Sequence, residues 1–305
     1  SSEQLILSFD ILEAESTSYA YTFIHCTANW EYSEINQFEY LNGFFNNYIN
    51  EYQYSFNTLT PYVNYYLSFP NENISFKKSG NYILLVYDTE NNLPIITKRF
   101  MVYEEILSIS LNVKKATLAK DQSTKQEIDF NIEGHKKLNI IDPHNELYIT
   151  IQKNDDWNNI INNVKPSFVS DYILEYDYQG EISFSGGNEY KDFDIKSLRY
   201  FGKNIQNIKQ QVIQGLNIYV VNLQIDYIEN TNEYKFQYDL NGKYVISLSE
   251  RRNKNTEGDY ALVKFILHSN KIENKDLYIH GELTNWDILK EAKMQYNDNE
   301  NYYYG

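Results

Sequence analysis
The chain has 305 residues and a mass of 36.2 kDa, with 42 Asp and Glu against 27 Lys and Arg and a formal charge of −15. That balance argues against a nucleic-acid binder, which needs a basic face to neutralise phosphates, and the single cysteine, Cys26, excludes an intrachain disulfide and any multi-cysteine metal site. The longest uninterrupted apolar run, Tyr82 to Tyr87, is too short for a transmembrane helix.

Aromatic residues make up 16% of the chain, with 30 Tyr, 16 Phe and 3 Trp, and a further 38 residues are Asn. Tyr and Phe favour half-buried pleated surfaces, and Asn favours turns and tolerates positive φ, so the composition describes many short strands joined by polar turns. The opening Ser-Ser-Glu-Gln-Leu has no Met, no basic n-region and no apolar h-region, and reads as a mature secreted product or a trimmed chain. Strands are predicted over Leu5–Phe9, Tyr19–Cys26, Tyr52–Phe56, Tyr62–Phe69 and Tyr82–Tyr87, each bounded by turn residues. Ser79-Gly80-Asn81-Tyr82 followed by Ile83–Tyr87 has the pattern of the penultimate strand of an immunoglobulin-like sandwich, where a corner Tyr bonds back to the backbone. Trp30 is expected in the core of the same sandwich, with an exposed ligand platform as its competing role.

Glu104-Glu105 follows Phe100–Tyr103 and precedes a new strand, Ile106–Val113, which places the first boundary there. Further strands are predicted at Glu127–Ile132, Leu147–Gln152, Tyr172–Tyr178 and Leu216–Leu223. Asn241-Gly242, between Tyr234–Leu240 and Lys243–Leu248, is the strongest hairpin signal, because a type I′ turn needs positive φ at both central residues. The polar stretch from Glu250 to Asp259 is the second boundary, ahead of strands at Tyr260–Leu267 and Leu277–Gly281. The expected fold is all-β, with tandem immunoglobulin-like and early-set β-sandwich domains. The domains are 1–105, an immunoglobulin-like sandwich; 106–255, a central β domain; and 256–305, the start of an early-set-like domain. Asn301–Gly305 reads as the beginning of a strand, so that last domain is expected to be truncated. Residues 1–105 carry 13 acids and 4 bases, a surface suited to solubility or to steering toward a basic partner.

The chain offers no credible active site. There is no phosphate loop or dinucleotide fingerprint, and none of the five His has a His partner at i+3 or i+4. His25 and Cys26 are strand neighbours whose side chains point to opposite faces. Asp192 and Asp194 would share a strand face and are the best-placed carboxylate pair, although a solvated or turn-capping role suits them better. Neither a catalytic residue, a metal nor a cofactor is expected. Two stretches carry binding chemistry. Leu277–Trp286 resembles early-set domains, including glycogen-binding modules in which exposed aromatics stack on sugars, which would make Trp286 a carbohydrate-binding residue. Ser185–Tyr200 mixes acids, bases and aromatics densely, and is either an extended segment anchored by Phe193, Ile195 and Leu198 or a docking surface.

Several motifs occur together and in order. They are Ser-Phe-Asp at 8–10, His-Cys-Thr-Ala-Asn-Trp at 25–30, Glu-Tyr-Leu-Asn-Gly-Phe at 39–44 and Tyr-Ser-Phe-Asn-Thr-Leu at 54–59. Phe-Pro-Asn-Glu at 69–72, Ser-Gly-Asn-Tyr at 79–82, Lys-Arg-Phe-Met-Val at 98–102, Gln-Glu-Ile-Asp-Phe at 126–130, Gly-Gly-Asn-Glu at 186–189 and Phe-Asp-Ile-Lys-Ser-Leu-Arg-Tyr at 193–200 follow. In this set the chain resembles the type IX secretion system plug protein family over nearly its whole length. The resemblance implies a periplasmic, non-enzymatic protein associated with the outer membrane complex. Its implied partner is the large outer-membrane β-barrel translocon, whose periplasmic mouth it seals. The resemblance transfers no contact residues. The aromatic and Arg positions of loops are therefore the expected partner-binding residues: Tyr40, Phe44 and Phe45 beside Asn46-Asn47, and Tyr190, Phe193 and Arg199.

Overall fold
The computed structural model describes residues 4–186, 190–228 and 240–305. The chain divides into two compact units, the first made of residues 1–104, 212–218 and 247–260, the second of the remainder.

The first unit is a β-sandwich. Its strands are β1 (Leu5–Ile11), β2 (Tyr19–Cys26), β3 (Leu41–Gly43), β4 (Asn47–Tyr48), β5 (Glu51–Tyr54), β6 (Val63–Phe69), β7 (Ile74–Phe76), β8 (Gly80–Asp88) and β9 (Pro94–Val102), with one short helix, α1 (Gln37–Tyr40), before β3. One sheet runs β1-β6-β5 and the other β4-β2-β8-β9, while β3 pairs with β7. All these pairings are antiparallel. Alternation of side chains decides the core. Tyr19, Tyr21 and Phe23 of β2, Tyr82, Leu84 and Val86 of β8, and Val63, Tyr65, Leu67 and Phe69 of β6 all turn inward and meet. The core is built largely of rings: Phe23 lies 4.9 Å from Phe69 and 5.0 Å from Phe76 between centroids, and Tyr82 stacks on Phe100 at 5.6 Å.

Tyr82 forms the expected corner. Its ring is fully buried and its hydroxyl donates to the Lys78 carbonyl at 2.7 Å. Burial, with the neighbouring Tyr40 phenol, pushes the Tyr82 phenol well above its ordinary range. Gly80, two residues earlier, has φ +145, and a Cβ there would stand 2.5 Å from His25 Nε2, so the corner needs a residue without a side chain. Tyr82→Phe, which removes one hydrogen bond and leaves the ring in place, is expected to cost about 1 kcal/mol. Urea denaturation checks this as a lower midpoint at unchanged slope.

Trp30 departs from expectation. β2 ends at Cys26, and the next four residues close a turn in which Trp30 N–H donates to Thr27 O and Trp30 itself has φ 65. The indole is only partly buried, with the Arg99 guanidinium 5.2 Å from its centre, so it is a turn residue carrying a cation–π contact and not a core residue.

The second unit begins with β10 (Ser108–Lys115), β11 (Lys125–Glu133), β12 (Thr150–Lys153), β13 (Asp156–Asn162), β14 (Phe168–Val169), β15 (Ile173–Tyr176) and β16 (Ser183–Ser185). Sheet β10-β11-β15-β14, with β16 also on β11, places Ile128, Phe130, Ile132, Leu174 and Tyr176 in a core shared with Ile151 and Ile161 of the β12–β13 hairpin. The chain continues through β17 (Ile205–Ile213) and β18 (Leu216–Leu223), whose facing ends at 212–218 are counted with the first unit, and then β19 (Asp226–Tyr227), β20 (Ala261–Lys264), β21 (Ile266–His268), β22 (Gln295–Asn297) and β23 (Tyr302–Tyr304). β18 pairs in parallel with β20, and β19 in parallel with β21, which β23 and β22 extend.

Three expected strands differ. The stretch 260–267 is broken at Phe265, whose backbone exchanges hydrogen bonds with Gly305 while β20 and β21 join different sheets. Leu277–Gly281 is reduced to a single bridge, Tyr278 to Lys293. Asn241 and Gly242 have φ 50 and 77 and close a turn through Lys243 N–H to Leu240 O, but Lys243–Leu248 is not a strand. The opposing stretch from Tyr234 to residue 239 lies outside the described residues.

Candidate functional site
The expected binding residues fall into three places. The first is the side of the sandwich where β3, β4 and β5 follow one another. Tyr40 is not available there: it is 6% exposed, packs in the core, and donates its hydroxyl to Phe23 O at 3.3 Å. It is a core ring because α1 lies against β2, and its side chain closes the gap between His25 and Tyr82. Phe44 and Phe45 sit on the surface, Phe44 being 72% exposed. Their loop is held by backbone approach. Gly43 has φ +97, a Cβ there would lie 1.9 Å from Asn73 O, and Phe44 N–H donates to that same oxygen at 3.3 Å. Asn47, buried, donates its side-chain amide to Phe44 O at 2.7 Å, which fixes the turn that presents both rings.

The second place is the 190–200 segment, which contains no strand among the described residues; Gly187 to Glu189 lie outside them. Phe193, Ile195 and Leu198 pack on Ile205, Val221 and Leu223, and Phe193 meets Phe265 edge to face at 5.7 Å. Phe193 is therefore an anchor and does not present its ring to a partner. Asp192 pairs with Lys203 at 2.8 Å and Asp194 with Lys196 at 2.8 Å. The Lys196 hydrogen bond holds the Asp194 carboxyl below its usual range. Each acid has its own cation. Arg199 is exposed, and Ser197 Oγ accepts from its backbone N–H at 3.2 Å.

The third place surrounds Trp286. The indole is 7% exposed, with Tyr190 at 5.7 Å and His280 at 5.8 Å between ring centres. The 241–242 turn lies over it so closely that a Cβ on Gly242 would stand 2.8 Å from the indole. A ring that stacks on sugar needs an open face, and the turn occupies this one, so Trp286 is a packing residue here. A polar hollow of about 610 Å³ lies nearby in the chain, lined by Tyr296, Asn297, Asp298, Asn299, Tyr302 and Tyr304. Its one carboxylate, Asp298, is paired with Lys271 at 3.3 Å, whereas glycoside hydrolysis requires two carboxyls.

One acidic group was not singled out by the sequence. Glu127, Asp129 and Asp177 bring a carboxylate oxygen each within 4.8 Å of one another. Lys114 bridges Glu127 and Asp129 and already supplies a positive charge to the group. Glu127, fully buried, accepts from Thr117 N–H at 2.7 Å and Thr117 Oγ1 at 2.9 Å. The arrangement is that of a structural ion-pair network.

The crystal structure, at 2.30 Å resolution, of a hypothetical protein from Parabacteroides merdae ATCC 43184 is 31% identical to this chain and superposes with a TM-score of 0.92. The alignment covers all of this chain and 76% of that one. Residues 1–104 match the family model described as type 9 secretion system plug protein 1st domain. The chain belongs to the type IX secretion system plug protein family. Among curated proteins none matches. The matched span contains the whole run of sandwich strands from β1 to β9, including the loop that presents Phe44 and Phe45. The family's role in secretion is that of a structural component, and no helix among the described residues is long and apolar enough to cross a membrane.

Proposed function
We propose that this protein is a non-enzymatic periplasmic subunit of the type IX secretion system that binds the outer-membrane β-barrel translocon and plugs its periplasmic opening. The observation that carries this reading is the plug-family match over residues 1–104. The sandwich geometry supports it. A plug acts by binding free energy alone, and rigid aromatic rings on a well-supported surface supply contact area at small entropic cost. Phe44 and Phe45 meet that description, because Asn47 and the Gly43–Asn73 contact fix their loop to the sandwich. Arg199, also exposed, is a third residue proposed to face the partner.

Affinity capture of the tagged protein from gently solubilised envelopes, followed by mass spectrometry, tests the reading. One very large outer-membrane barrel protein is the expected partner. Phe44→Ala with Phe45→Ala is expected to lower its recovery about tenfold, the effect of losing two central interface rings. Recovery of no such barrel, even after cross-linking, would overturn the plug assignment.

A further inference from the structure
Nine Asp and Glu, and neither Lys nor Arg, occur in residues 1–76. The strands of the β1-β6-β5 sheet and of the β3–β4–β5 side therefore contribute no cation of their own; beyond β5 stands Arg251 of the same unit, whose guanidinium donates to Asn57 O at 2.7 Å. The cations of residues 1–104 are Lys77, Lys78, Lys98 and Arg99, all at or beyond the corner that leads into β8. Lys77 approaches the aromatic side through its ammonium, which donates to Phe38 O at 2.8 Å.

Exposed rings concentrate on this same side. β4 is the end strand of one sheet and β5 the end strand of the other, with only residues 49 and 50 between them. Along this continuous edge Phe44 is 72% exposed, Tyr48 63% and Tyr52 45%, and Phe45 stands next to them. Glu39, ahead of the run, and Glu51, between Tyr48 and Tyr52, are exposed. Rings between carboxylates make a surface with negative charge and negative π-faces together. Such a surface repels acidic segments and favours guanidinium and ammonium groups, which both pair with carboxylate and stack on rings. The protein uses this chemistry internally, in Arg99 over Trp30.

From this charge complementarity we infer that the β3–β4–β5 edge docks a Lys- and Arg-rich segment of a partner protein. The inference rests on the plug reading for the identity of the partner and on this surface alone for the partner's chemistry. The apolar strand face of Ile109, Leu111 and Val113 in the second unit has no comparable charge signature.

The test places a photo-cross-linking amino acid at Phe44 or Tyr48 of the full chain, in cells that make the protein, and sequences the attached peptide. The expected adduct is a peptide of net positive charge. Its yield should fall about fivefold in Glu39→Gln with Glu51→Gln, the direction expected when charge steers association. Glu39→Gln is chosen because Gln can keep the contact that Glu39 Oε1 makes with the Asn36 backbone N–H at 3.1 Å. An adduct of zero or negative net charge, or no adduct at either position, would overturn the inference. A basic peptide from a protein other than the translocon would uphold the docking chemistry and count against the plug reading. A non-basic peptide from the translocon would do the reverse.

Discussion

Phe23→Ala is expected to cost about 3–5 kcal/mol, the range for removing a fully buried ring. Phe23 has no exposed surface. Its ring lies at the junction of both sheets, 5.7 Å from Tyr21, 4.9 Å from Phe69, 5.0 Å from Phe76 and 5.6 Å from Phe100. The neighbours come from four different strands, so no single side chain can swing in to fill the space. Domain stabilities are about 5–15 kcal/mol, and this one change removes a third or more of that in a typical case. Urea unfolding followed by near-ultraviolet circular dichroism of the tyrosine-rich sandwich reads the loss directly. Ile109→Ala, at an exposed strand position, is the control and should stay within about 0.5 kcal/mol. A loss at Phe23 no larger than the control's would mean that the ring is not at the centre of the core.

The alternating aromatic strands of the sandwich were legible in the residues because their signal is local. Tyr19–Cys26 reads as a strand and is one, and the Ser79–Tyr82 corner carries its own hydrogen bond four residues back. Features built from distant partners were not legible. β3, β4 and β7 are two or three residues long and owe their existence to pairing with strands distant in sequence, β4 with β2 and β3 with β7. β18 and β20 pair in parallel across 37 intervening residues, with no turn to announce them. The 241–242 turn adopts its positive φ from local chemistry, yet Lys243–Leu248 is not a strand, because a turn dictates dihedrals and not the ladder beyond it.

Exposure at the candidate site divides in the same way. Phe44 was readable as a surface ring because it sits between Gly43 and Asn46-Asn47. Tyr40, four residues earlier and just as aromatic, is buried because α1 folds it onto His25 and Tyr82. Trp286 is covered by Gly242, and its carbonyl accepts from Asn158, a residue 128 positions away. Glu127 was legible only as a strand residue and as part of the Gln-Glu-Ile-Asp-Phe motif at 126–130, and nothing in the residues marked it as buried and paired. It alternates with Ile128 in an ordinary strand pattern, and only the return of the chain through Thr117 and Lys114 surrounds it.

That enclosure makes Glu127 the second position with a large expected effect, and its signature is a pH dependence. Burial pushes the Glu127 carboxyl up, but the two Thr117 hydrogen bonds and the Lys114 ammonium outweigh burial and hold it below its ordinary value of 4.5. The folded protein therefore binds this proton more weakly than the unfolded chain does. The carboxylate stabilises the fold fully above the unfolded value, and that stabilisation is lost as pH falls through the lower, folded value. Glu127→Ala removes the acceptor of both Thr117 bonds and one of the two carboxylates on Lys114, with an expected cost near neutrality of roughly 2–4 kcal/mol. The difference from the unaltered protein should be constant above the ordinary carboxyl range and shrink as the solution is acidified below it. Urea midpoints across an acid pH series measure this. A gap that keeps its neutral-pH size at the acid end would show that the cost comes from lost packing volume. A gap that closes would assign it to the ionised carboxylate between Thr117 and Lys114.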